Sequence, residues 1–305
     1  MDKLRLPTYG GQAVIEGVMM RGKKSLAIAM RAPDDSIVIH EDDLGSMYRS
    51  KIVQIPFLRG IVLLWDALGL GMRALTISAN TQSGEDEQIE GPTLIITLII
   101  SLAFAVSLFF LLPASAGHFF ERFVVSVFSL DASQANTAAW LGNLLEGALR
   151  LTILIGYIYF IGRIPDIKRV FAYHGAEHKT INAFEAGEEL VPEKVKLYSL
   201  EHPRCGTAFL LTLVVLSVLF FSLLGPLPLG LRLASRLLMI PILAGVAYEY
   251  IRWTANHLES GFVKIIVKPN LALQRLTTRE PDLDMLEVSI AAFNAMRTSE
   301  EEIHL

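Results

Sequence analysis

The sequence predicts a mainly α, polytopic membrane protein with about four transmembrane helices, a small N-terminal β element and cytoplasmic helices. Three observations carry that expectation. Apolar residues fill 52% of the 305 positions, a composition unusual for a soluble enzyme. Four segments satisfy the rule that a bilayer span needs about 20 mostly apolar residues. Basic residues are dense in some connections and sparse in others, as the positive-inside rule requires.

Residues 1–54 read as the β element. Ser25 to Arg31 and Ser36 to His40 are apolar or alternating, and Ala32-Pro33-Asp34-Asp35 between them is a turn signal, so a hairpin is expected. Before them, Gly10 to Gly22 is an apolar run studded with glycines, which points to tight turns or close backbone approach to another group. The N-terminus lacks an apolar core of signal-peptide length, so no cleavage is expected. Residues 55–92 combine an interfacial or re-entrant amphipathic helix at 56–80, interrupted by Arg59, Asp66 and Arg73, with an acidic linker from Thr81 to Gly91.

Residues 93–253 form the expected membrane domain. Its spans are Thr93 to Pro113, about Ala138 to Ile161, Ala208 to Leu229, and about Leu233 to Trp253. The first and third are free of charge. The second carries Glu146 and Arg150 at i,i+4, where they can pair. The fourth holds Arg236 and Glu249 near its two ends. Ala114 to Thr137 reads as an outer loop, and 163–207 as a cytoplasmic connection, helical from Pro165 to Gly187 and loop-like around Pro192. In the tail, 254–305, Phe262 to Val267 looks strand-like and Thr277-Thr-Arg-Glu-Pro281-Asp282 caps a last helix ending near Met296. The charge count puts both termini and the 163–207 connection on the cytoplasmic side.

The chemistry gathers in that connection. His174-Gly-Ala-Glu177-His178, Glu185 and His202-Pro-Arg204-Cys205 hold three of the seven histidines and the single cysteine. On a helix, residues 174 and 178 lie about 40° apart, so their imidazoles can share one ion. Glu177 lies beside them, and H-x-x-E-H is the pattern in which two histidines bind zinc and the glutamate acts as general base. His202 and Cys205 arrive on a loop, completing a nitrogen and sulfur set suited to zinc or another borderline divalent metal. A catalytic site would use three of these ligands, a structural one all four. Glu185 lies too far along the helix to share the ion and is expected behind the ligands, with Glu16 and Arg204. A single histidine near a membrane is ordinarily an interfacial anchor, whereas two adjacent ligand clusters point to a metal.

The charge of −4 argues against nucleic acid as a partner, and one cysteine excludes an internal disulfide. The intramembrane charges Glu146, Arg150 and Arg236 read first as pairs that fix the bundle, while Glu249 is placed to face the metal cluster.

Several stretches together resemble one family: GGQAVIEGVMMRG at 10–22, PFLRG at 56–60, YHGAEHKTINAFE at 173–185, HPRCGT at 202–207 and LQRLTTREPD at 273–282. They are similar to the YqhQ-like bacterial membrane proteins, whose function is unknown and whose members are often described as metal-dependent enzymes. The resemblance spans nearly the whole chain. It implies a bacterial inner-membrane protein and weights His174, Glu177, His178, His202 and Cys205. The expectation is a membrane-embedded, zinc-dependent hydrolase acting on a lipid or membrane-anchored substrate. The alternative is a non-enzymatic membrane protein, either an ion transporter, which would need a homo-oligomer, or a scaffold with a structural metal.

Overall fold

A computed structural model describes residues 9–45, 55–83, 91–131 and 134–302. Most of the acidic linker therefore lies outside the described residues. The chain is mainly helical, with one small antiparallel sheet at its N-terminus.

The sheet is a meander of β1 (Gly10–Val14), β2 (Gly17–Arg21), β3 (Ser25–Arg31) and β4 (Ile37–Asp43), in that spatial order. The hairpin expected at 25–40 is thus β3–β4, paired from Ser25↔Asp43 to Arg31↔Ile37. The glycine-rich run supplies the other two strands. Side chains alternate faces along a strand, and here both faces are covered. Val18, Met20, Ala27 and Ala29 join one apolar cluster with Tyr173, Leu286, Phe293 and Met296. Met19, Leu26, Ile28 and Met30 join another with Ala74. Two-sided burial explains why β2 and β3 are apolar throughout rather than alternating.

Helix α1 (Leu58–Gln82) covers the second face of the sheet and also packs along α8 (Leu229–Asn256). The first face is covered by α5 (Pro165–Glu185) and α10 (Leu283–Glu302). Helix α10 starts where the sequence places its cap, with the Met285 N–H donating to Asp282 Oδ1 at 2.9 Å, and runs six residues past Met296. The N-terminal sheet, the 163–207 connection and the C-terminal helix therefore share one body.

Beside it stands an apolar bundle. Helix α2 (Gly91–Val106) passes through one π turn at Ser107–Leu111 into α3 (Leu112–Val127), a continuous stretch of 37 residues. The expected loop from Ala114 is therefore helical as far as Val127. Its inner face, Pro113, Gly117, Glu121 and Val124, repeats every three or four residues. It packs so closely on α4 (Ala135–Ile161) that a Cβ on Gly117 would lie 2.5 Å from the Gly142 carbonyl. Among the described residues, three helices are long and apolar enough to cross a membrane: Gly91–Val127, Asn136–Ile161 and Leu229–Asn256. The third expected span is shorter. Helix α7 (Thr207–Ser222) has 16 residues, a rise of about 24 Å against a hydrocarbon core of about 30 Å.

The charges inside the bundle join one buried network. Glu146 bonds Arg150 at 2.8 Å, as the i,i+4 spacing predicts, and also Arg236 at 2.7 Å. Arg232 pairs with Glu121 at 2.6 Å, and both Arg232 and Arg236 donate to Asn143 Oδ1. Arg150 Nε donates to the Phe109 carbonyl inside the π turn. The π turn is where regular i→i+4 bonding lapses, so the network uses a carbonyl the helix frees.

Two further expectations are corrected. The strand-like Phe262–Val267 is part of a helix, α9 (Gly261–Thr277), whose inner face is Val263, Val267, Asn270, Gln274 and Thr277. Its β-branched residues suggest a strand, but the buried positions recur every three to four residues and tertiary packing decides. Glu249 does not face the histidines. It pairs with Arg59 and accepts from the Phe57 N–H at 3.1 Å, tying α8 to the start of α1. The stretch around Pro192 also contains a short helix, α6 (Pro192–Val195).

Candidate metal centre

Helix α5 carries H-G-A-E-H. It opens with Pro165 at its first turn, with Asp166 following, and closes at Gly187, whose φ of +76° suits glycine at a helix C-terminus. The i,i+4 spacing places the His174 and His178 ring centroids 4.4 Å apart.

The segment after α6 is clamped onto this helix by backbone carbonyls. His178 Nδ1 contacts the Leu200 carbonyl at 2.5 Å, and Lys179 Nζ donates to the carbonyls of Lys196 and Tyr198. Asn182 Nδ2 donates to those of Ser199 and Glu201. Residues 178, 179 and 182 thereby fix the path of 196–201 and deliver His202 and Cys205 over the helix. Helix α9 holds the far side. Gln274 clamps the His202 backbone at both N–H and carbonyl, and the Thr277 carbonyl lies 2.9 Å from His174 Nδ1. Gly175 permits that approach: a Cβ there would fall 2.1 Å from the Arg279 carbonyl.

Both histidines of α5 thus meet a carbonyl through Nδ1, an acceptor that fixes the proton on Nδ1 and leaves Nε2 with its lone pair. This is the orientation in which protein-bound imidazoles hold metals. His174 Nε2 lies 3.1 Å from Cys205 Sγ. His178 Nε2 is buried with no hydrogen-bond partner. Ligand atoms of His174, His178 and Cys205 all lie within 4.8 Å of one another. Cys205 sits at the entry to α7, with Thr207 Oγ1 at 3.2 Å and the Thr207 N–H at 3.5 Å from the sulfur. Two imidazole nitrogens and a thiol at this separation suit zinc. The buried His178 Nε2, which has no hydrogen-bond partner, is available as one of these ligand atoms.

Glu177 is buried and aimed away from solvent, toward the sheet. Its carboxyl accepts from the Gly11 N–H of β1, and burial pushes its proton affinity above the usual carboxylate range, against the pull of His174, His202 and that N–H. A Cβ on Gly11 would lie 3.0 Å from the Glu177 side chain and 2.5 Å from the Met19 carbonyl, so the edge strand needs glycine here. The close approach expected of the glycine run occurs at this point.

The remaining predicted residues fall around the three converging ligands. His202 is buried, its ring 5.7 Å from that of His178, but its Nε2 lacks a hydrogen bond and lies 3.9 Å from Glu185 Oε2. Burial lowers its proton affinity, which favours neutral imidazole, while Glu177 acts the other way. Glu185 forms an ion pair with Arg204, so the two stand behind His202. Glu16 does not join them. It sits at the β1–β2 turn with φ of +52° and binds Arg169 through both oxygens at 2.5 Å, with Tyr173 Oη at 3.3 Å, tying the sheet to α5. Gln274 and Thr277 lie in the LQRLTTREPD stretch, but nothing in it marks a backbone clamp or a carbonyl acceptor, and Leu200 lies outside the quoted stretches.

A family model described as "Protein of unknown function (DUF1385)" matches residues 55–299. The chain belongs to this family. It is also 35% identical over 305 residues to "Uncharacterized protein YqhQ" of Bacillus subtilis (strain 168), covering 95% of this chain and 92% of that one. No solved structure matches. The YqhQ-like resemblance seen in the motifs therefore holds over 95% of the chain. Family membership brings no activity with it, so function rests on the site.

Proposed function

We propose that this protein is a metal-dependent hydrolase of the bacterial inner membrane, with its site at the cytoplasmic face and a lipid or membrane-anchored substrate. The observation that carries the reading is the convergence of two Nδ1-anchored histidines and Cys205 beside a buried glutamate. His174, His178 and Cys205 would hold the ion and leave a further position open, as catalytic zinc sites do. A divalent ion there would supply Lewis acidity toward a carbonyl or phosphoryl oxygen and activate water. Glu177 then takes the proton of the attacking water on its carboxylate, a task for which its raised proton affinity suits it. His202, held through its backbone, fills the wall next to Glu177, and the Glu185–Arg204 pair stands beside its imidazole edge, 3.9 Å away.

Membrane placement is supported by the three long apolar helices, and cytoplasmic placement by the basic connections. The body formed by the sheet, α5 and α10 contains both end regions of the described chain, which accords with both lying on one side.

One observation favours a second reading. None of the five site residues exceeds 9% exposure, and closed sites are typical of structural zinc. In that scaffold version the ion would pin the 196–205 segment to α5 and no substrate would enter.

Cobalt replacement tests the ligand set. Cobalt-loaded protein is expected to show a thiolate-to-cobalt charge-transfer band that disappears in Cys205→Ser and persists in His202→Ala. Stoichiometric cobalt uptake without that band in the unmodified protein, lost in His202→Ala and kept in Cys205→Ser, would exchange their roles.

A further inference from the structure

Helix α9 has three strips. The inner strip, including Asn270, Gln274 and Thr277, backs the histidine site. A second strip carries Lys264, Lys268 and Arg275, all exposed and within about 40° of one another around the axis. A third points outward and is apolar: Phe262 is 65% and Ile265 64% exposed. Helix α8 ends just before it, with Trp253 in its last turn also exposed and stacked on His257. A tryptophan at the end of a long apolar helix marks the membrane–water boundary. A basic amphipathic helix that follows at once belongs in the headgroup layer.

The basic strip borders a cavity. It has a volume of about 510 Å³ and is lined by Glu201, Pro203, Leu258, Lys264, Lys268 and Arg275, among others. Arg275 spends its charge on Glu201 at 2.6 Å. Lys264 and Lys268 have no ion pair among the described residues. The cavity therefore carries about two uncompensated positive charges, with apolar side chains beside them and Pro203 of the histidine loop in its wall.

We propose that this cavity binds the headgroup of an anionic phospholipid, with Lys264 and Lys268 on the phosphate and the acyl chains lying along Phe262 and Ile265. Polybasic surfaces beside a span recognise anionic lipids in this way, and the outward apolar strip is what selects a lipid over a free phosphate. The proposal rests on the membrane placement above but not on hydrolysis, because its readout is lipid retention.

The test is native mass spectrometry of detergent-purified, delipidated full-length protein titrated with phosphatidylglycerol, phosphatidylcholine or inorganic phosphate. The unmodified protein is expected to retain phosphatidylglycerol at least roughly tenfold better than phosphatidylcholine. Raising the ionic strength should erode that preference. Lys264→Gln/Lys268→Gln should reduce it to the phosphatidylcholine level, while Lys168→Gln on the exposed start of α5 should not. Equal retention of the two lipids by the unmodified protein overturns the proposal without reference to any variant. So does a folded double variant with undiminished preference. Displacement of the lipid by an equal concentration of phosphate would make this a free-phosphate site and refute the lipid assignment.

Discussion

Glu177→Gln is expected to leave the metal bound and to lower turnover by roughly 10²–10⁴-fold, the usual worth of a positioned general base. The substitution isolates the proton. Glutamine has the same shape, and its amide oxygen still accepts from the Gly11 N–H that now meets the carboxyl. Neither the packing against β1 nor the Nδ1 anchors of His174 and His178 should change, so the three converging ligands stay in place. The quantity it removes is the capacity of a buried carboxylate to take a proton from water. Metal content and hydrolysis must be read on the same preparation. Loss of both together would recast Glu177 as a ligand, and unchanged hydrolysis would remove it from the chemistry.

The largest effect on stability is expected at Glu146. This single carboxylate answers Arg150 and Arg236 directly, and the side chains of all three are at most 2% exposed. Glu146→Ala leaves two guanidinium groups in an apolar bundle without their counter-ion. Breaking a buried pair from one side costs about 3–5 kcal/mol, and here the pairs with Arg150 and Arg236 break together with a third, longer contact to Arg232 at 3.5 Å. The variant should show a sharply lower thermal midpoint and poor recovery in detergent. Glu146→Gln keeps the acceptor oxygen and should recover part of the loss. Glu249→Gln, whose pair with Arg59 is 15–20% exposed, should cost less than either. A Glu146→Ala protein as stable as the parent would mean that the network is solvated, against its burial.

Both predictions turn on residues the sequence singles out, but only in part on partners it reveals. The i,i+4 pairs His174–His178 and Glu146–Arg150 are legible because helical geometry fixes which side chains meet. The hairpin at 25–40 is legible because its turn chemistry is local. What eludes the sequence is long-range. The pairing of Arg232 with Glu121 crosses 111 positions, so the helix that continues past the expected span end at Pro113 has a partner the sequence does not reveal. The Phe262–Val267 segment has strand-like residue types, and only packing of Val263 and Val267 against the bundle makes it a helix. Within the site, the residue types and the opposing loop are readable. The Nδ1 acceptors are not, because any residue can offer a carbonyl. Glycine is the partial exception: Gly11 and Gly175 stand where backbone must come within reach of α5, and a lack of side chain leaves a mark in the sequence that a carbonyl does not.

Both the hydrolase and the structural-ion scaffold require an ion held by His174, His178 and Cys205. Elemental analysis of detergent-purified protein, beside a His174→Ala/His178→Ala variant, tests that requirement. One transition-metal ion per chain, zinc foremost, is expected in the unmodified protein and none in the variant. A folded, unmodified protein that carries no stoichiometric metal and takes up none when it is supplied would contradict the hydrolase and the structural-ion reading together.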